Sequence, residues 1–171
     1  MSFADMNCSV ARTLEIVGEW WTLLVLRDAF LGVRRFEDFV DRLGISRNVL
    51  TDRLDTLVDN GILERRIYDE VHHRSEYVLT DRGRDLWPVL TALRQWGDRH
   101  VFADGAEPIV VRHLGCGDVT SVETRCGSCG ELLEARDVRA EPGPGSVPGS
   151  ARRTDRDDVG SERSGRADHT A

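Results

Sequence analysis

The chain has 171 residues, of which 40% are hydrophobic and 31% are charged, and its formal net charge is -7. This composition predicts a soluble protein with one domain, or with one domain and an appendage. The longest apolar stretch, WWTLLVLRDAF, is too short and too charged to span a bilayer, and no basic segment leads into an apolar run after Met1. We therefore expect no membrane anchor, no secretion signal and a cytoplasmic location.

Four helices are predicted in the first 60 residues. Apolar residues recur at helical spacing over residues 9–18, and residues 19–32 are apolar nearly all round, which predicts a central buried helix. An apolar stripe over residues 35–44 ends at a glycine, which is typical of a C-terminal cap. Ser46 can then cap a further helix that runs to Asn60.

A β-hairpin and a long helix are predicted next. ILERRIYD and RSEYVLT are short alternating runs separated by EVHH, a pattern typical of a hairpin. In the first run Leu63, Arg65 and Ile67 share one side. Thr80 can cap a helix that extends to about residue 100, in which Pro88 predicts a kink.

The order of these elements indicates a winged helix-turn-helix fold, mainly α with a small β-hairpin wing. The helix after Ser46 has an apolar side and a polar side that begins with Arg47 and Asn48. In this fold the first residues of the second helix lie against base edges in the major groove, where Arg pairs with guanine and Asn with adenine. The hairpin arginines, and those before the third helix, suit phosphate contact. The candidate DNA-binding residues are Arg34, Arg35, Ser46, Arg47, Asn48, Thr51, Arg65, Arg66 and Arg74.

Charge limits this interpretation. All basic residues are arginine, and no part of the chain has a net positive charge that could hold DNA without specificity. A polar helix face can also be no more than a solvated face, and Asp52 and Asp55 would repel phosphates. DNA binding would therefore depend on a few placed arginines and would be strongly salt-dependent.

Four ordered blocks carry a resemblance to a known family: CSVARTLEIVGEWWTLLVLRD, GVRRFEDF, GISRNVLTDRLDTLVDNGILERR and YVLTDRGRDLWPVLTALRQWG. The sequence resembles the HxlR-type winged-helix transcriptional regulators, within the wider MarR-like group. The resemblance implies a homodimer, joined through its terminal helices, that binds double-stranded DNA at a pseudo-palindromic operator. The chain departs from the family in having His72 and His73 at the wing tip, where two prolines are common, and in having Asp55.

Apolar residues of the last helix exceed what one small winged helix can cover, which also predicts a homodimer. The candidate interface residues are Leu86, Leu90, Leu93 and Trp96.

Cys8 is predicted at the start of the first helix, where the helix dipole favours a thiolate. Members of the resembled family include thiol-based sensors, so Cys8 is a possible thiol sensor. The alternative is a small residue that packs in the dimer interface.

A cluster of Cys and His follows the last helix. His113-Leu-Gly-Cys116-Gly and Cys126-Gly-Ser-Cys129-Gly are two ligand pairs with the same spacing, each followed by glycine. The pattern is typical of zinc-ribbon turns, and three Cys with one His form a common structural zinc set. The competing interpretation is a redox pair, Cys126 with Cys129, although such a motif normally opens a helix within a βαβ unit.

The predicted organisation has three parts. Residues 1–107 form the winged helix-turn-helix and dimerisation domain, residues 108–140 a zinc-ribbon-like appendage, and residues 141–171, rich in Pro, Gly and Ser, a disordered tail. The predicted function is sequence-specific regulation of transcription, and a response to redox state or to a ligand is a possible addition. No cofactor is expected to be required for DNA binding, and the effector is unidentified. An enzyme is not expected, because the glycine-rich and catalytic motifs are missing. The alternative is a zinc-stabilised protein-interaction module that has lost specific DNA binding.

Overall fold

The structure is a computed structural model that describes residue 3, residues 5–72 and residues 74–147. His73 and most of the tail predicted to be disordered, from residue 148 onward, lie outside the described residues. The described residues fall into two units, one within residues 1–139 and one within residues 140–147. The described part of the second unit contains one turn, in which the Ser146 N–H donates to the Gly143 carbonyl at 3.0 Å.

The described part of the first unit is mainly helical and has a two-stranded antiparallel hairpin. The predicted caps are confirmed: the Ser46 hydroxyl accepts the Val49 N–H, and Gly44 ends its helix with a φ of 62° that favours glycine. The elements in chain order are α1 Ser9–Val17, α2 Trp20–Phe30, α3 Phe36–Leu43, α4 Arg47–Asp59, β1 Leu63–Asp69, β2 Arg74–Leu79, α5 Asp81–Arg84 and α6 Trp87–His100.

The core lies where α2, α3 and α4 meet the base of the hairpin. Residues one helical turn apart on α4 provide three fully buried leucines, and each such side chain contributes roughly 2 kcal/mol by leaving water. Phe39 of α3 closes the core from the other side. The fully buried apolar side chains are Val25, Leu26, Phe39, Leu50, Leu54, Leu57 and Leu63.

Helix α2 is only partly the buried helix that its sequence predicts. Val25 and Leu26 are fully buried, but Trp20 is 79% exposed and Leu31 is 53% exposed. The prediction that α2 is completely buried within one chain is therefore wrong. One side of α2 presents large apolar residues outward.

A buried carboxylate joins α2 to α3. Asp28 of α2 is fully buried, and its Oδ1 accepts from Arg27 Nε at 2.9 Å, while its Oδ2 accepts from Arg42 Nε of α3 at 3.3 Å. Both arginines keep about half of their side chain in water. The charge inside the core is thus neutralised from its edge, which holds α3 in a fixed position against α2.

The hairpin leaves the core as it extends. The register pairs Leu63 with Leu79 at the base, and an irregularity falls between Ile67 and Asp69. Leu63 is buried, but Ile67 is 62% exposed, so the alternating pattern does not mark one buried face along the whole strand. The wing projects beyond the part of the sheet that packs on α4.

The last predicted helix is two helices. Thr80 caps α5 by accepting the Gly83 N–H at 3.0 Å, as predicted, but α5 ends at Arg84 and α6 begins at Trp87. Pro88 therefore lies in the first turn of α6, where its missing N–H costs no hydrogen bond, and the predicted kink in a continuous helix is wrong. Pro88 explains the early end of α5, because it has no N–H to donate to the carbonyl of Arg84, four residues before it. Gly83 packs so closely that a Cβ there would lie 2.2 Å from the Ile62 carbonyl oxygen.

Candidate nucleic-acid interface

The N-terminal half of α4 presents a continuous polar surface. The buried leucines hold one side of the helix against the core, so the opposite side faces outward. Asn48 is exposed and makes no side-chain hydrogen bond to the residues that the structure describes. The Thr51 hydroxyl donates to the Arg47 carbonyl at 2.9 Å, and Asp52 and Asp55 are exposed on the same side.

The guanidinium of Arg47 is paired across elements. It forms two parallel bonds with the Glu37 carboxylate of α3, one of them from Nη1 to Oε1 at 2.7 Å, and it lies 5.7 Å from the centre of the Phe36 ring. The hydrogen bonds from Arg47 hold the pKa of Glu37 below its ordinary value. Glu37 therefore stays charged at neutral pH, and DNA would have to compete with it for Arg47.

The two arginines before α3 lie beside the second wing strand. The Tyr77 N–H donates to the Arg34 carbonyl at 2.8 Å, and Arg35 forms an isolated antiparallel bridge with Glu76. Arg34 Nη1 is 3.9 Å from the Glu76 carboxylate. The guanidinium of Arg35 lies over the Tyr68 ring, 5.2 Å from its centre, an arrangement that leaves its positive charge without an acidic partner among the described residues.

The wing arginines differ in their partners. Arg66 Nη2 donates to Glu64 at 2.8 Å, because residues two apart on a strand share a face, and this bond lowers the pKa of Glu64. Arg65 Nε donates to the Ser75 hydroxyl at 3.1 Å. Arg74 forms no ion pair within 4 Å among the described residues.

The wing tip is closed by Asp69. Its two oxygens contact the His72 backbone N–H at 3.0 Å and the His72 Nδ1 at 2.9 Å. The backbone bond and then the ring bond lower the pKa of Asp69. His72 therefore has a local role in the turn, and His73 lies outside the described residues.

The structure thus brings all nine predicted DNA-binding residues to α4, the segment before α3, and the wing. The sequence interpretation missed their carboxylate partners Glu37, Glu64 and Glu76. The Glu64–Arg66 pair could have been predicted, because residues two apart on a strand lie on the same face. The other two pairs join separate elements, so no local sequence pattern predicts them. Three of the arginines predicted to contact DNA, Arg34, Arg47 and Arg66, are therefore paired with a carboxylate of the same chain.

Large apolar residues are also exposed on α1, α2 and α6. Leu93 and Trp96 of α6 are 53% and 58% exposed, whereas Leu86 and Leu90 are partly buried against the core. A cavity of about 380 Å³ lies between α2, α6 and residues 108–111. Cys8, directly before α1, is exposed and makes no capping hydrogen bond.

The Cys and His residues of the appendage form two separate pairs. His113 Nδ1 lies 3.3 Å from Cys116 Sγ. The backbone N–H groups of Cys129 and then Ser128 point at the Cys126 sulfur and lower the pKa of that thiol. Within the described ranges, no three His, Cys, Asp or Glu side chains are gathered closely enough to hold a metal ion.

The class of the protein follows from this arrangement: a helix-turn-helix whose second helix is exposed beside a two-stranded wing, as in winged-helix regulators of transcription. The chain belongs to the HxlR-like helix-turn-helix family, whose sequence model matches residues 16–104. The resemblance seen in the sequence is thereby confirmed. Among the described residues, no helix combines the length and the apolar character needed to cross a membrane.

Relatives of this family extend the similarity. An uncharacterized HTH-type transcriptional regulator of Mycobacterium tuberculosis is 47% identical over 137 residues, which cover 80% of this chain and 87% of the relative. The crystal structure of PA1607, a candidate transcription factor, superimposes with a TM-score of 0.72 at 37% identity and covers 80% of this chain and 96% of its own. The oxidized form of the redox regulator HypR gives a TM-score of 0.52 at 31% identity over 56% of this chain and 100% of its own. The first two matches are long enough to continue past residue 104 into the appendage.

Proposed function

We propose that the chain binds double-stranded DNA sequence-specifically, as a homodimer on a pseudo-palindromic operator. The observation that carries the proposal is the outward polar side of α4, which starts at Arg47 and Asn48 and is flanked by the arginines of the wing. Buried leucines fix the opposite side of α4, so the helix can enter a major groove without rearrangement of the core. The alternative of an interaction module without DNA binding is not favoured, because the family and its relatives are described as transcriptional regulators.

Two groups of contacts are proposed. Arg47 and Asn48, at the start of α4, read bases, and Thr51 lies within the same groove. The arginines around the wing and before α3 hold the phosphate backbone: Arg34, Arg35, Arg65, Arg66 and Arg74. Arg35 has no acidic partner among the described residues, so its charge is available to phosphate at once. Arg74 forms no ion pair within 4 Å there, but it lies opposite Asp69 in the hairpin and helps to lower the pKa of that carboxyl.

The carboxylate partners limit how strongly the interface attracts DNA of any sequence. Glu37, Glu64 and Glu76 occupy arginines that would otherwise attract any DNA. Non-specific DNA is bound mainly through its phosphates, whereas an operator also places a guanine edge where it can replace Glu37 as the partner of Arg47. The three glutamates therefore raise the ratio of the affinity for the operator to the affinity for non-specific DNA.

Substitution of Arg47 and Arg74 tests this division of roles. We expect Arg47→Ala to weaken binding to the operator on the order of 10- to 100-fold and to change binding to random DNA little. We expect Arg74→Ala to weaken binding to both DNAs and to flatten the dependence on salt, since one phosphate contact is lost. Gel shifts and anisotropy titrations with DNA from upstream of the chain's own gene would measure both. Equal losses on the two DNAs for Arg47→Ala would contradict base reading.

Glu37→Gln is the matched control for Arg47. It keeps the shape of the partner but removes its charge, so Arg47 reaches the DNA without displacing a carboxylate, and affinity for the operator should rise about two- to fivefold. If Arg47 only braces α3 against α4, Glu37→Gln should instead lose affinity as Arg47→Ala does.

The homodimer is proposed to form through the first and last helices. Large apolar side chains are exposed on α1, α2 and α6 of the single chain, which is the surface that a second copy would cover. Two copies would present two α4 helices, one to each half of the operator.

A thiol response at Cys8 is a second proposed property. Cys8 is exposed at the start of α1, within the proposed dimer region, and HypR, which shares this fold, is described as a redox regulator. A thiol oxidant such as diamide should change affinity for the operator about 5- to 150-fold in the wild type and leave Cys8→Ser unaffected. The same response in Cys8→Ser would assign the effect to the cysteines of the appendage.

A further inference from the structure

The appendage contains one turn built twice. The first turn, residues 111–120, and the second turn, residues 124–133, are related by a shift of thirteen residues along the chain. Each is closed by a single antiparallel bridge, Arg112 with Val119 and Arg125 with Leu132. The repeat extends to atomic detail, as the following hydrogen bonds show.

Equivalent backbone groups bond to equivalent partners. The N–H of His113 donates to the Asp118 carbonyl at 2.9 Å, and the N–H of Cys126 donates to Glu131 at 2.8 Å. In each turn the N–H of the glycine that follows the second Cys or His donates to the carbonyl of the first. Gly117 donates to the His113 carbonyl at 2.7 Å, and Gly130 donates to the Cys126 carbonyl at 2.9 Å.

Both turns also need their glycine and their arginine. Gly117 and Gly130 have φ of 78° and 79°, which other residues rarely adopt. The side chains of Arg112 and Arg125 donate to the carbonyls of these glycines at 3.0 and 3.1 Å. The same backbone is thus specified by two different stretches of sequence, and the feature that they share is a pair of metal-ligand residues.

In the first turn the ligand pair already converges. His113 Nδ1 is 3.3 Å from Cys116 Sγ, and the ring is folded over Gly115. A Cβ at Gly115 would lie only 2.8 Å from the His113 ring. The equivalent position in the second turn is Ser128, where the shorter Cys126 replaces His113. Gly115 therefore makes room for an imidazole that points at the cysteine.

Apolar packing does little to hold these turns. Leu114, Val119 and Leu132, the large apolar residues at the tips and bridges, are all exposed. The linker between the turns is fixed to α6 instead: the Gln95 side chain accepts the Val122 N–H at 2.8 Å and donates to the Val122 carbonyl at 3.3 Å. Arg94 Nη1 of α6 also donates to the Ile109 carbonyl at 3.1 Å, directly before the first turn. Two turns of identical fold that are held to α6 at residues 109 and 122, and have no core of their own, need another source of stability.

We propose that the two turns bind one Zn²⁺ through His113, Cys116, Cys126 and Cys129. Two turns that each end in a ligand pair and a positive-φ glycine match a closed, structural Cys₃His site, in which no position is left for substrate. Among the described residues no three of these ligands are gathered around one point, so coordination requires the two pairs to come together. Metal binding and local folding are then one event. The inference is independent of the proposed DNA contacts.

Metal content of the full chain tests the site directly. Protein expressed with ample zinc and purified under reducing conditions should contain about one Zn per chain, and Co²⁺ in its place should give the absorption of a tetrahedral site with three thiolates. Cys116→Ser and Cys129→Ser should lose the metal, and Cys8→Ser, which changes a cysteine outside the turns, should retain it. Zinc content near zero in the wild type under these reducing conditions would overturn the proposal. Zinc that persists in Cys116→Ser would do the same.

A pair of small substitutions keeps the test valid if the cysteine variants fold poorly. Gly115→Ala should displace the His113 ring and weaken Zn²⁺ binding on the order of tenfold in competition with a chromogenic chelator. Ser128→Ala, at the equivalent position beside Cys126, should bind as the wild type does. Equal affinities of the two variants would remove His113 from the site. Binding to the operator, measured on the same samples, should persist in all variants because α1–α6 have their own core, so a failed zinc site is distinguishable from a failed DNA site.

Discussion

Leu93→Glu combined with Trp96→Ala should convert the protein to a monomer and weaken binding to the operator on the order of 10²- to 10⁴-fold. The two residues lie one turn apart on α6 and are more than half exposed, so the changes leave the core of the chain intact. Two half-sites that are bound by one dimer benefit from a high effective concentration, which independent monomers lack. Binding to a single half-site should change little, because α4 and the wing are unaltered.

Sedimentation at micromolar concentration and gel shifts on full and half operators would measure both effects. Val138→Asp is the control, since it adds a charge at an exposed valine outside α1 and α6. A wild-type chain that is monomeric at micromolar concentration and still binds the operator tightly would rule out the homodimer.

Asp28→Ala should lower the free energy of unfolding by about 3 kcal/mol. Asp28 is fully buried and accepts hydrogen bonds from both Arg27 and Arg42, so its removal breaks the link between α2 and α3 and leaves a cavity. Asp28→Asn keeps the volume but not the charge, and should lose less. Because α3 carries Glu37, binding to the operator should also become less specific in the folded fraction.

Urea denaturation followed by circular dichroism would give these values. Asp59→Ala is the matched control: Asp59 is an exposed acid at the end of α4, and its removal should change stability by no more than about 0.5 kcal/mol. An equally small change for Asp28→Ala would show that the buried carboxylate does not hold the two helices together.

Local patterns were sufficient to predict the position of most elements. Helical periodicity, Ser46 and Thr80 as caps, Gly44 as a stop and the alternating runs around residues 70–73 all act within a few residues of the chain. The wing and the polar side of α4 follow from the same signals. This is why the winged helix-turn-helix fold and the set of exposed DNA-binding candidates could be predicted.

Contacts between residues far apart in sequence determined the features that the local sequence pattern did not predict. The need for glycine at position 83 depends on the close approach of the Ile62 carbonyl, between residues far apart in sequence. The exposure of Trp20 depends on which side of α2 the other helices cover. A hydrophobic pattern identifies the apolar side of a helix. Whether the same chain buries that side depends on where the neighbouring elements pack.

The sequence by itself determined which residues the candidate interface contains, since side-chain order along one helix and one hairpin sets the face on which each residue lies. Only the tertiary structure decided their electrostatic state. Arg47 meets Glu37, and Arg34 meets Glu76, because α3 packs between α4 and the wing. Coulombic interaction depends on distances in space, and these distances arise from packing of the core rather than from neighbours along the chain.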